Sequence, residues 1–126
     1  MPFPISNAAL ARALEARGYD EPTPVQLAVL QPEAADRDLL VSAQTGSGKT
    51  VAYGLALAST VLGESERLPA TVQPLVLVIA PTRELALQVH AELTWLYEPA
   101  GGRIVSCVGG MNIRVEQREL QRGCHM

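Results

Sequence analysis

Apolar positions along this chain follow two different periods. Near the N-terminus, Ala9, Leu10, Ala13 and Leu14 recur at helical spacing, which predicts a short helix capped by Ser6 and stopped at Gly18. Thr23 then offers a cap, and Pro24 sits at a first helical position, where its missing N–H costs nothing. A second helix is predicted from there to about Pro32. Beyond residue 36 the period changes. Leu39–Ala43, Leu75–Ala80 and Arg103–Val108 are short apolar runs that read as buried strands. Helical patterns alternate with them: about Lys49–Leu62, then a face of Leu85, Val89, Leu93 and Leu96, then about Ile113–Gln121. Continuous apolar strands alternating with helices predict an α/β fold, a parallel β-sheet flanked by helices. The polar stretch GESERLPATVQP is expected to be a long surface loop.

Composition narrows the class without naming it. The 126 residues fit one domain. With 48% hydrophobic and 18% charged residues, the chain matches a globular protein and not a disordered one. No apolar run approaches the roughly 18 residues of a membrane span. The N-terminal segment MPFPISNAAL has neither a basic start nor a long apolar stretch, so no secretory leader is expected. Cys107 and Cys124 have no ligand-like partners around them, which sets the expectation of a reducing, cytoplasmic setting and no zinc. A net charge of −3 excludes a global positive field. Any polyanion must therefore be met by a local surface. Nine arginines accompany a single lysine.

That lysine lies in the strongest local signal. AQTGSGKT, Ala43 to Thr50, stands between a predicted strand and a predicted helix, the setting of a phosphate-binding loop. Gly46 and Gly48 permit backbone angles closed to other residues, so successive N–H groups can curl around phosphate oxygens. A helix opening at Lys49 turns its unpaired N–H groups toward the same anion. Lys49 adds a mobile charge for the β- and γ-phosphates, and Thr50 a hydroxyl for Mg²⁺. These two are the candidate catalytic residues, with Thr50 the metal-side ligand. Ala43 stands where most such loops have glycine. The alternative is a glycine-rich turn without a ligand. The loop alone leaves the base open, because kinases, GTPases, transporters and helicases share it.

Upstream, GYDEPTPVQ places Tyr19 and Gln26 seven positions apart. The Gln26 amide carries a donor and an acceptor, which match the N6 amino group and N7 of adenine and discriminate against guanine. Tyr19 offers a face for the base, and Phe3 a possible backing ring. Read alone, Gln26 is more often an ordinary helix-surface residue than a base reader. Downstream, PTRE follows a predicted strand and opens a helix, so Thr82, Arg83 and the N–H groups there can meet a phosphate. Gly109-Gly110 allows close approach of a backbone. Here too a plainer reading stands: an N-cap with Glu84 in the first turn, and a turn that ends a strand.

Taken in order, GY-x2-PTPVQ, AQTGSGKT, PTRELA and VGG resemble the first half of a DEAD-box ATP-dependent RNA helicase. They correspond to that family's Q motif (18–26), phosphate loop or motif I (43–50), motif Ia (81–86) and GG motif (109–110). Ala43 is the family's usual form. The resemblance spans essentially the whole chain and implies a RecA-like phosphate-loop NTPase domain. It assigns Gln26 to adenine recognition, with Tyr19 stacking, Phe3 nearby and Thr23 in the same motif. Ala43, Gln44, Thr45, Gly46, Ser47, Gly48, Lys49 and Thr50 would hold ATP and Mg²⁺. Pro81, Thr82, Arg83, Glu84, Gly109 and Gly110 would face RNA, and Arg114 matches a common basic position. RNA contact of this kind reads backbone, with little sequence preference.

The resemblance also implies what the 126 residues do not contain. A TPGR segment, the Asp-Glu-Ala-Asp motif and a second domain would follow in such a helicase. The chain is therefore expected to be an N-terminal portion of the first RecA-like domain, with an incomplete sheet whose edges favour self-association. Alone, it is expected to bind adenine nucleotide weakly and not to unwind RNA. Two other readings remain at this point: a nucleotide-binding module without turnover, and another phosphate-loop NTPase such as a GTPase or small-molecule kinase. Cys107 is expected to be buried in its strand, Trp95 and Tyr97 to lie at a domain surface or core edge, and His90 to be solvated or locally bonded.

Overall fold

The computed structural model describes residues 2–110 and 112–126. In chain order it forms α1 (Ala8–Ala16), α2 (Pro24–Val29), α3 (Lys49–Ala56), α4 (Ala58–Val61), α5 (Arg83–Tyr97) and α6 (Ile113–Gln121). Single 3₁₀ turns occur at Pro32–Ala34 and Glu98–Ala100. The predicted helices are all present, with three corrections. The cap of α1 is Asn7, not Ser6: its Oδ1 accepts from Ala9 N (3.0 Å) and Leu10 N (3.3 Å), and its Nδ2 donates to the Ser65 carbonyl (2.9 Å). An amide can cap and reach outward at once. The helix expected from Lys49 to Leu62 is split at Leu57. Leu85 lies 38% exposed at the open end of α5, so the buried face there is Val89, Leu93, Leu96 and Tyr97.

No strand forms among the described residues, so the predicted parallel sheet is absent from this structure. The reason lies in the backbone partners. Leu75 N (2.8 Å) and Val76 N (3.1 Å) both donate to the His125 carbonyl, while His125 N donates to the Arg103 carbonyl (2.8 Å) and Val105 N to the Met126 carbonyl (3.0 Å). The two runs are thus joined through residues 125 and 126, a contact too short for a ladder of regular pairs. Alternation survives nonetheless. Val76 and Val78 pack against the core, whereas Leu77 and Ile79 are 83% and 84% exposed, as in a strand with one covered face.

The core is helical. Leu10 and Leu14 of α1, Val51 and Leu55 of α3, and Val89, Leu93 and Leu96 of α5 form one buried cluster. Each such side chain contributes about 1.5–3 kcal/mol relative to exposure. α3 and α5 approach closely because position 54 is glycine: a Cβ there would lie 2.7 Å from Leu96 Cδ2. Tyr97 lies wholly within this core, not at its edge, and its phenol donates to the Gly54 carbonyl at 2.5 Å. Burial pushes that phenol far above its ordinary titration range.

The stretch expected as a free surface loop is tied down. Besides the Asn7 contact, Leu68 N donates to the Ala100 carbonyl (2.9 Å), Leu68 is buried, and Glu66 pairs with Arg12 at 3.6 Å. His125 bridges it to the run at Arg103, its Nε2 2.7 Å from the Pro69 carbonyl and its Nδ1 accepting from Arg103 N at 2.9 Å. Cys107 is exposed and Cys124 buried, the reverse of the expectation for Cys107. No helix among the described residues is long and apolar enough to cross a membrane.

Candidate functional site

Residues 43–50 form a turn that enters α3 through two left-handed glycines, Gly46 (φ 80°) and Gly48 (φ 86°). A side chain at either position would be strained. Gly48 caps α3, whose first residue is Lys49. The helix therefore presents its unpaired N–H groups at the mouth of the loop. Lys49 folds back across it, and its ammonium donates to the Ala43 carbonyl at 2.7 Å. Ser47 N donates to the Gln44 carbonyl (3.2 Å), while the Ser47 hydroxyl is buried without a partner among the described residues. Such an orphan is costly unless something else satisfies it.

A cavity of about 650 Å³ opens beside the loop, lined by Thr45, Gly46, Gly48, Lys49 and Thr50 together with Tyr19, Tyr53, Pro81 and Glu92. That volume suits a small-molecule ligand. The Thr50 side chain is hydrogen-bonded to Tyr53. Burial raises the Tyr53 phenol, the Thr50 bond pulls it down, and the nearby Glu92 charge raises it again.

Gln26 stands differently from an open base reader. It is fully buried. Its Oε1 accepts from Thr23 N (2.9 Å), the Thr23 hydroxyl accepts from Gln26 N (3.4 Å), and its Nε2 donates to the Gly48 carbonyl (3.3 Å). Thr23 and Gln26 thus form a capping box on α2, and the same amide braces the phosphate loop. Tyr19 is half-buried and stacked on Trp95, with centroids 5.4 Å apart and planes at 29°. Phe3 packs against the core cluster, and the ring partner of Tyr19 is Trp95. Trp95 is half-buried against the core, as expected, but its stacking on Tyr19 was not foreseen. Its position in α5 gave no signal, because only the tertiary fold brings it to the α1–α2 turn.

The second group lies at the start of α5. Thr82 caps that helix, its hydroxyl accepting from Leu85 N at 3.2 Å, with Glu84 in the first turn. Pro81, Thr82, Arg83 and Glu84 are exposed, as are Gly109, Gly110 and Arg114. The structure brings two of the motifs together: the Arg83 guanidinium lies against Gly110, 2.4 Å from where a Cβ would stand. Gly109 faces open space. Arg114 follows one turn on, in α6, beyond the cap of Asn112.

A left-handed glycine pair leading into a helix that opens on lysine and threonine marks the phosphate-loop class of proteins. Comparison with known proteins gives the family. The profile of the DEAD/DEAH box helicases matches residues 23–126, and the chain belongs to that family. Its sequence is 41% identical over 112 residues to DEAD-box ATP-dependent RNA helicase 28 of Oryza sativa subsp. japonica, covering 89% of this chain and 14% of that protein. It is 36% identical to DEAD-box ATP-dependent RNA helicase CshA of Bacillus licheniformis over 120 residues, 95% of this chain and 23% of that protein. The chain thus spans less than a quarter of either relative. Among solved structures, the RNA helicase Prp28 from Chaetomium thermophilum bound to ADP superimposes with a TM-score of 0.79 at 36% identity, over 98% of this chain and 31% of that one. The match corresponds to the N-terminal part of the first RecA-like domain.

Proposed function

We propose that this chain is the nucleotide-binding portion of an ATP-dependent RNA helicase, carrying the ATP grip and part of the RNA surface. The observation that carries the reading is the loop itself: two left-handed glycines, a helix opening at Lys49, and a buried Ser47 hydroxyl awaiting a partner. Phosphate oxygens accept from that hydroxyl and from the N–H groups of α3. Lys49 exchanges the Ala43 carbonyl for the β- and γ-phosphates, a stronger charge-assisted partner. Mg²⁺ fits the donor set here through the Thr50 hydroxyl at the first turn of α3, and when bound it offsets phosphate charge.

The base lies at the α1–α2 turn, on Tyr19. Gln26 retains one N–H and one lone pair beyond those spent on Gly48 and Thr23, a complement to adenine. A base meets them only once the capping contacts around Gln26 loosen. RNA runs over Pro81–Glu84, Gly109, Gly110 and Arg114, with Arg83, against Gly110, and Arg114 as its positively charged contacts. Two free cysteines support residence in the reducing cytoplasm.

Calorimetric titration of ADP and ATP into the chain tests this reading. Millimolar or tighter binding that Lys49→Ala weakens at least about tenfold is the expected result. Equal affinity in the variant would exclude the loop as the phosphate site.

A further inference from the structure

We propose that Trp95 is a positioning residue for the nucleotide base, acting by holding the ring of Tyr19 against the phosphate-loop cavity. This inference rests on the nucleotide reading above and deepens it. Tyr19 follows Gly18, whose left-handed backbone (φ 72°) ends α1, and Tyr19 N donates to the Leu14 carbonyl at 2.9 Å. The backbone at Tyr19 is thus fixed, and its ring, packed against the core, stacks on Trp95 at 5.4 Å.

Trp95 is itself held on several sides. Its Nε1 donates to Glu92 Oε2 at 2.9 Å, and the Arg17 guanidinium lies 5.0 Å from its ring centroid. Its helix is anchored in the core by Leu93, Leu96 and Tyr97. Tyr19 lines the same cavity as Thr45, Gly46, Gly48, Lys49 and Thr50, and so does Glu92. One flank of the phenol therefore rests on the indole while another borders the space beside the phosphate loop. A ring already oriented loses less freedom when a base stacks on it, and that difference appears as affinity. The contribution concerns the base alone. The phosphates are gripped by residues 45–50, and Trp95 does not line the cavity beside them.

The test compares ADP with inorganic tripolyphosphate, which carries the phosphates without a base, using the 126-residue chain. Trp95→Leu is expected to weaken ADP about three- to tenfold, the range of one aromatic pair, with tripolyphosphate affinity unchanged. Trp95→Phe restores most of the loss. Tyr19→Ala weakens ADP alike, and the Tyr19→Ala/Trp95→Leu double variant shows no further loss, because both act through one stack. Trp95 is the sole tryptophan, so its fluorescence in the unmodified chain adds a readout that needs no substitution: it shifts with ADP and not with tripolyphosphate. Equal weakening of ADP and tripolyphosphate in Trp95→Leu would overturn the proposal, as a general structural loss. An unchanged ADP affinity in Trp95→Leu beside a weakened Tyr19→Ala would overturn it while leaving the base on Tyr19. Failure of the unmodified, folded chain to bind either compound sinks the nucleotide reading itself, and this inference with it.

Discussion

Gln26 and Gly48, separated by 22 positions in sequence, meet through a hydrogen bond from the Gln26 Nε2 to the Gly48 carbonyl at 3.3 Å. One side chain therefore finishes the capping box of α2 and braces the entry to α3. Gln26→Ala removes both functions and leaves buried partners unpaired, at a cost of about 1–2 kcal/mol. The urea midpoint checks this. Gln26→Glu keeps an acceptor for Thr23 N but sets a buried carboxylate against the Gly48 carbonyl. That variant should lose stability as well as ADP affinity.

The two loop glycines differ in what surrounds them. A Cβ at Gly46 meets open space, whereas one at Gly48 would lie 2.4 Å from the Gln26 amide nitrogen. Both are left-handed, so each alanine carries roughly 1–2 kcal/mol of backbone strain. Gly48→Ala should cost more than Gly46→Ala, because it also displaces Gln26. Thermal melts of the two variants decide the order, and equal melting temperatures would contradict it.

Arg83 is exposed beside Gly110 and, with Arg114, supplies the positive charge of the proposed RNA surface. Arg83→Ala should weaken single-stranded RNA binding to a similar degree across sequences and reduce its salt dependence by about one phosphate contact. Filter binding of two unrelated oligonucleotides at several salt concentrations measures both. A sequence-selective loss would argue against a backbone contact.

Tyr97 predicts an alkaline limit to stability. Its folded phenol titrates well above the ordinary value of 10.0 because of burial. The folded chain therefore holds that proton more tightly than the unfolded chain does. This stabilisation is complete below pH 10 and falls away as the pH rises toward the folded value. Tyr97→Phe should reduce the alkaline decline, leaving the smaller part that the raised Tyr53 phenol contributes. Because it also leaves the Gly54 carbonyl without its buried donor, it should lower stability at pH 7 by about 1–3 kcal/mol. Denaturation at pH 7 and above pH 10 tests both limbs.

Leu40, Leu77 and Ile79 are almost fully exposed, and the backbone near them forms no ladder among the described residues. Apolar surface of this kind favours association between copies. Leu77→Lys with Ile79→Lys should lower the apparent mass in sedimentation without unfolding the chain, because neither side chain belongs to the buried cluster.

Helices and the phosphate loop were legible from the sequence because their causes are local. Thr23 and Thr82 cap the residues that directly follow them, and Gly46 and Gly48 take the angles that only glycine adopts readily. A parallel sheet is a different object: its pairing depends on partners distant in sequence, and here the backbones at 75–76 and 103–105 bond to residues 125 and 126. Periodicity therefore gave the alternation of Val76, Leu77, Val78 and Ile79 but not a ladder. Cys107 was misjudged for the same reason.

By itself, the order of residues determined the helices and the loop that suits a phosphate, since each follows from neighbours within a turn or two, and the family through four motifs in order along the chain. Only the tertiary structure decided that Gln26 is a buried brace, that Tyr19 rests on Trp95 and that Arg83 lies against Gly110. Those contacts join segments 22 to 76 positions apart, and no local pattern encodes them.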